Sequence, residues 1–370
     1  MKLNNKFKIG KISIGSGKVF IIAEMACAHG GSLIKARKII DAAKEAKADA
    51  IQLEIYTPDE TCIPGTEENK ELRQVYFTRA EWIGLFNYAR KKKINIISFC
   101  YDFGSLLFSI KNKVDAIKVN SSDLLNLDFL NYLPRIKIPI TLGTGSSKVT
   151  EIKKAVNYLY KKNKNIKLIL MHGVQNFPTD IRNERNNKLD ILKNIFKCNI
   201  GYANHTAGHT KIAKYIDLIA IGKSVSLLEK HITVKRSLRD FDYFSSLEPR
   251  EFRDYVKTIR TAEEANKYYK GFELTDSDKK YRIFQKKSIV TSKKVNKNQK
   301  ISKKNILFIR NMVEEGMPPI HYLNIKNLKY KQDLPKFTVL KKSHLIKWKY
   351  WPLFLQEQGQ KDWKIKILEY

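Results

Sequence analysis

The chain has 370 residues, 43% of them apolar, and a formal charge of +33. That length can bury one large core or two moderate ones, and the apolar content excludes a disordered polymer. No apolar run approaches the roughly 18 residues of a membrane span, and the N-terminal stretch has positive charge with no apolar stretch of signal-peptide length behind it, so no membrane partner and a cytoplasmic location are expected. The lysines are scattered over nearly every helix-like and turn-like stretch. That is the distribution of a solvated surface rather than the single basic face of a nucleic-acid binder, so no nucleic-acid partner is expected.

Residues 1–17 read as a short β-ribbon, with Gly10, Gly15 and Gly17 permitting tight turns. Eight short apolar runs follow: VFIIAE, AIQLEI, INIISFCYD, AIKVNSSD, IPITLGTG, KLILMHG, NIGYANH and SLLEKH. Strands buried on both faces read as continuous apolar runs of this kind, and they alternate here with amphipathic stretches near 32–47, 78–92, 103–112, 148–162, 188–197 and 208–222. Eight strand–helix repeats predict an α/β fold, a (β/α)8 barrel, whose chemistry sits at the C-terminal strand ends. Those ends carry Glu24, Glu54, Asp102, Lys118 with Ser121, Thr144, His172, His205 and His231. The segment 56–77, with Pro58, Pro64 and Gly65, reads as a long loop shaping the pocket. Cys27, Cys62, Cys100 and Cys198 show no CxxC spacing and read as reduced residues.

A helix near 248–270 ends the barrel pattern. From 279 to 304 there are eleven Lys or Arg and no acid, a composition shift that suits a linker. Beyond it the pattern Val295-x-Lys297-x3-Ile301-x-Lys303-x2-Ile306 reappears as Leu334-x-Lys336-x3-Leu340-x-Lys342-x2-Leu345, which predicts a small pseudo-symmetric β module. The expected organisation is a barrel at 1–275, a basic linker at 276–287, a β domain at 288–350 and an extension at 351–370.

His205 and His231 end neighbouring strands, and two neutral imidazoles there can hold a divalent metal. Lys118, Ser121 and Thr144, beside a Gly-rich turn, have the chemistry to bind a phosphate or carboxylate. Glu24 and Glu54 lie on adjacent strands. Buried carboxylates cost free energy unless they meet hydroxyls, a metal or a cation.

In order, the motifs IIAEMACAHGGS, KVNSSDLLN, TLGTG, HGVQNFPT, IGYANHT, LEKHIT and DFDYFSSLEP resemble those of the sialic acid synthase family, and the likeness extends over residues 10–345. The segment ILFIRNMVEEGMPP resembles that family's antifreeze-like (SAF, β-clip) domain. The resemblance implies condensation of phosphoenolpyruvate with N-acetylmannosamine or a related aldose, giving a nonulosonic acid and phosphate. It implies Mn2+, or Mg2+ or Co2+, on His205 and His231, and a domain-swapped homodimer. It places Lys118, Ser121 and Thr144 on phosphoenolpyruvate, Glu24 and Asp242 on the sugar and its aldehyde, and Arg310 on the partner's site. Gln52 and Gln175 stand where the family has a lysine and an asparagine, beside phosphoenolpyruvate. Glu54 and Phe177 replace a glutamine and a tyrosine, beside the sugar, and Ala203 replaces a serine. Gln52 and Glu54 keep open a repurposed barrel acting as a sugar aldolase, lyase or epimerase, and the charge of +33 with the basic run 279–304 keeps open a basic polyanion-binding protein.

Overall fold

The apolar runs fold as eight parallel strands closed into a barrel, following an N-terminal ribbon of β1 (Phe7–Ile9) and β2 (Ile12–Ile14). The barrel strands are β3 (Phe20–Glu24), β4 (Ala50–Ile55), β5 (Asn95–Cys100), β6 (Ala116–Val119), β7 (Ile140–Gly143), β8 (Leu168–His172), β9 (Asn199–Asn204) and β10 (Leu227–His231). Sequential neighbours pair, and β10 closes on β3 with His231 in register with Glu24. Every residue of these strands except Asn95 is buried, which is why the runs carry no polar–apolar alternation. The computed structural model describes residues 6–266, 273–312 and 314–346.

Two apolar layers share the strands. Outward-facing Ile21, Ile51, Leu53, Ile96, Ile117 and Leu228 pack with the surrounding helices in one large core. Inward-facing Phe20, Ile22, Ala50, Ile97, Ala116, Ile169 and Leu227 form a second core with Phe7, Ile9 and Ile14 of the ribbon. The ribbon therefore plugs the N-terminal end of the barrel, and each buried side chain of that size contributes about 1.5–3 kcal/mol. Gly10 turns the ribbon at φ +55°, where a Cβ would lie 2.0 Å from the Asn95 side chain at the start of β5. Further along these rows Glu24, Gln52, Lys118 and Glu229 follow the apolar layer, while Phe99 and Met171 keep two rows apolar, so the polar chemistry gathers at the C-terminal mouth.

Local capping explains the helices. Ser32 caps Leu33–Glu45, and Thr78 and Glu81 form a reciprocal capping box on Arg79–Lys91. Asp102 caps Phe103–Lys111 through Ser105 N, and its other oxygen takes Thr57 N at 2.7 Å. The segment expected as a loop over 56–77 instead holds two short helices, Pro58–Thr61 and Glu67–Gln74. The second buries only Asn69, so it left no apolar period in the sequence. A six-residue helix, Leu127–Tyr132, was likewise not anticipated.

Contacts divide the chain into two units, Met1–Tyr268 and Tyr269–Tyr370. In the second, β11 (Lys287–Thr291) pairs antiparallel with β12 (Ile306–Arg310). Val295 and Leu334, the equivalent first residues of the repeated pattern, exchange backbone hydrogen bonds of 3.0 and 2.9 Å. All six repeated apolar residues, from Val295 to Leu345, lie in one buried cluster. The segment expected as a linker over 276–287 contains a helix, Asp276–Phe284, with a Thr275–Asp278 capping box and no buried residue. The extension 351–370 lies outside the described residues. The four cysteines are free, with Cys62 the least buried. Among the described residues no helix is long and apolar enough to cross a membrane.

Candidate active site

The mouth of the barrel encloses a cavity of about 270 Å³. His205 follows β9 and His231 ends β10; their rings are 5.2 Å apart at 64°. The Val174 carbonyl lies 2.8 Å from His205 Nδ1, a contact that puts the proton on Nδ1 and leaves Nε2 as a lone pair. His231 Nδ1 is buried with no hydrogen-bond partner. Burial pushes His205 down to about 3 and His231 well below its ordinary value, so both imidazoles are neutral, the form that binds metals. Glu229, inward-facing two residues before His231, joins them: one ligand atom from each of the three lies within 4.8 Å of the others. Two neutral imidazoles, one with an orphaned nitrogen, and a carboxylate are a donor set that fits a divalent cation such as Mn2+.

Glu229 was not picked out in the sequence. Its carboxylate accepts from Lys118 Nζ at 2.6 Å and from Gln52 Nε2 at 3.1 Å. Lys118 also lies 4.0 Å from Glu24 Oε2 and 4.1 Å from the centre of the Phe99 ring. Gln52 thus braces Glu229 rather than lining the cavity. Thr144 is similarly engaged, its hydroxyl donating to the Met171 carbonyl at 3.0 Å, while Gly143 lines the wall in its place. Ser121 and Gln175 do line the cavity, and the Phe177 ring stands 4.4 Å from that of His205. Asp102, bonded to Thr57 and Ser105, serves the loop behind the mouth.

On the adjoining strand, in register with His231, Glu24 accepts from Ala26 N at 2.7 Å, and burial raises its pKa against the pull of Lys118. Glu54 accepts from the Tyr101 hydroxyl at 3.0 Å; burial and the nearby Asp242 charge hold it at about 8. Asp242, in the left-handed region at φ +61°, accepts from Cys27 N at 3.1 Å and is raised by burial. Glu68 and Glu71 of the helix Glu67–Gln74 complete the rim. Among the described residues, six carboxyl side chains thus line the cavity with one lysine, Lys118, although the chain carries +33 overall. Arg310 ends β12 in the other unit and is exposed.

Behind the histidines, a buried network holds the strand ends. Glu184 accepts from the Asn204 amide and the Thr206 hydroxyl, each at 2.8 Å, and from the Tyr202 hydroxyl. Lys230, fully buried and facing away from the cavity, donates to Asn204.

The family model of NeuB matches residues 39–270. The chain belongs to the NeuB family. An uncharacterised protein of Methanocaldococcus jannaschii is 30% identical over 329 residues, covering 89% of this chain and 95% of that one. The N,N'-diacetyllegionaminic acid synthase of Legionella pneumophila is 26% identical over 344 residues, covering 88% and 94%. Among solved structures, the N-acetylneuraminic acid synthetase of Leptospira borgpetersenii superposes with a TM-score of 0.69 at 29% identity, covering 75% of this chain and 95% of that one. The NeuB assignment therefore places the chain in the sialic acid synthase-like family, on a (β/α)8 barrel.

Proposed function

We propose that this NeuB-family chain joins phosphoenolpyruvate to an aldose of the amino-sugar type, forming a 2-keto-3-deoxy sugar acid and releasing phosphate. The observation that carries this reading is the convergence of His205, Glu229 and His231 with Lys118 at one barrel mouth. C-3 of phosphoenolpyruvate attacks the sugar aldehyde; water adds at C-2, and phosphate leaves with its C–O bond. A divalent cation, Mn2+ or a similar ion, held by the two histidines and Glu229 would supply Lewis-acid polarisation. Lys118 and Ser121, with Gln175 beside them, hold the anionic donor, and Glu24 and Asp242 orient the acceptor. Phe177, 4.4 Å from the His205 ring, stands beside the acceptor. In this reading Arg310 is delivered to the mouth by the partner of a homodimer. Mixing Arg310→Ala with His231→Ala protein then restores part of the activity through hybrid sites.

Phosphate release from phosphoenolpyruvate, Mn2+ and a panel of aldoses tests the reaction, with the product identified by mass. A folded, metal-loaded protein that releases no phosphate with any aldose overturns it. A second reading, a sugar aldolase, lyase or epimerase, draws support from the pairing of Lys118 with Glu229. Turnover of a sugar without phosphoenolpyruvate would favour it.

A further inference from the structure

The two histidines of the mouth are held by different means. His231 is the last residue of β10, in register with Glu24 of β3, so the barrel ladder itself fixes its backbone. His205 lies one residue beyond β9, whose last pair with β10 is Asn204 with Lys230. The ladder stops short of this imidazole. What replaces it is mostly the segment 174–184, which follows β8. The Val174 carbonyl meets the ring at Nδ1, 2.8 Å away, and Thr179 N donates to the His205 carbonyl at 2.8 Å. Ser245, from the segment after β10, donates to the same carbonyl at 2.9 Å.

Glu184 closes this segment, and its side chain is buried without lining the cavity. Its Oε1 accepts from Asn204 Nδ2 and from the Thr206 hydroxyl, each at 2.8 Å. These are the residues immediately before and after His205. Thr206 N in turn donates to Asn204 Oδ1 at 3.2 Å, which completes a bracket around the histidine. The second oxygen of Glu184 takes the Tyr202 hydroxyl. A carboxylate is acceptor-only, so one side chain can serve all of these donors. We propose that Glu184 is a positioning residue, which brackets His205 from both sides and so fixes the imidazole where a divalent cation can share it with His231 and Glu229. This rests on the reading of those three side chains as a metal site. Groups that orient a ligand histidine without touching the ion still set the affinity for it. Mere satisfaction of buried polar groups would use the same hydrogen bonds with no effect on a cation, so metal affinity and stability have to be read separately.

The test is Mn2+ binding to the full chain by electron paramagnetic resonance, without phosphoenolpyruvate or sugar, beside urea denaturation of the same proteins. His231→Ala serves as the reference for loss of the site. Glu184→Ala should weaken Mn2+ binding by about 10–100-fold. Glu184→Gln should restore most of it, because an amide oxygen can still accept from Asn204 and Thr206. Tyr202→Phe removes a hydrogen bond from the same carboxylate and leaves both bonds of the bracket in place. It should lower stability and keep the native Mn2+ affinity. If Glu184→Ala does not fold, Thr206→Val, which breaks one side of the bracket, should still weaken Mn2+ binding. Native affinity in Glu184→Ala, or in Thr206→Val where the alanine variant does not fold, overturns the proposal. An equal loss in Tyr202→Phe overturns it by making the network structural only. A glutamine no better than alanine also overturns it, since charge rather than the bracket would then be at work. Mn2+ that stays bound in His231→Ala, or a native chain that binds none, overturns it together with the metal site. A native chain that binds Mn2+ through Glu184 yet releases no phosphate leaves this inference standing and removes the condensation.

Discussion

Lys118 Nζ and Glu229 Oε1, 111 residues apart in sequence, meet at 2.6 Å inside the barrel mouth. The carboxylate that completes the candidate metal site is thus also the partner of the cavity's basic side chain. A metal that draws on Glu229 competes with Lys118 for the same oxygens and frees the ammonium for an anion. Glu229→Gln should therefore weaken Mn2+ binding by about 10–100-fold, measured by electron paramagnetic resonance without substrates. Lys118→Met should leave Mn2+ binding unchanged or strengthen it. Unaltered Mn2+ affinity in Glu229→Gln would restrict the site to the two histidines.

Ser121 and Thr144 were equivalent candidates as anion-binding hydroxyls, and the structure separates them. Thr144→Val removes a hydroxyl bonded to the Met171 carbonyl, which keeps a second donor in Thr144 N at 2.9 Å. The stability loss should be about 1 kcal/mol or less, with KM for phosphoenolpyruvate unaltered. Ser121→Ala should raise that KM several-fold with little change in stability. Steady-state kinetics beside urea denaturation distinguishes the two, and a raised KM in Thr144→Val would return that hydroxyl to the site.

Lys230 is fully buried, which lowers its pKa against the pull of Asp217 and Glu184, and it faces those acids from the outer side of β10. Asp217 is engaged by the Tyr255 hydroxyl at 2.6 Å, and Glu184 by Tyr202, Asn204 and Thr206. Lys230→Ala strips the network of its amine donor and opens a cavity. It should destabilise the chain by about 3–5 kcal/mol in chemical denaturation, far more than a surface lysine replacement. A loss below about 1 kcal/mol would mean that the acids are protonated or hydrated without it.

His29 supplies a pH dependence away from the histidine pair. It is fully buried, stacked at 4.4 Å on Phe77, and burial depresses its pKa from 6.5 to about 3. Below pH 6.5 the unfolded chain takes up a proton that the folded chain refuses. The stability linked to this residue is therefore complete above about pH 6.5 and declines as the pH falls towards about 3. Each pH unit in that window removes about 1.4 kcal/mol. His29→Phe, which cannot protonate, should lose less stability on acidification than the native chain, by about 2–3 kcal/mol between pH 6.5 and 4.5. Parallel pH profiles for the two proteins would mean that water reaches His29.

The barrel was legible in the sequence because its signal is local. A strand buried on both faces has to be an uninterrupted apolar run, and eight such runs with amphipathic stretches between them leave few other architectures. The β module was legible for a related reason: Val295 and Leu334 pair with one another, so the repeat in sequence is a repeat in space. Helices that bury little, such as Glu67–Gln74, left no apolar period to read. Strand ends marked the polar residues of the mouth, but not which of them would be engaged elsewhere. Asp102 became a helix cap, Thr144 a partner of Met171, and Gln52 a brace, while Glu229, inside the run SLLEKH, emerged beside the histidines. Those roles depend on strand register and on pairs more than a hundred residues apart, such as Lys118 with Glu229. Composition also pointed the wrong way inside the mouth, where a chain of +33 presents six acids and one lysine. Net charge is a sum over the solvated surface, whereas the field in a cavity is set by the few side chains that closure of the barrel turns inward.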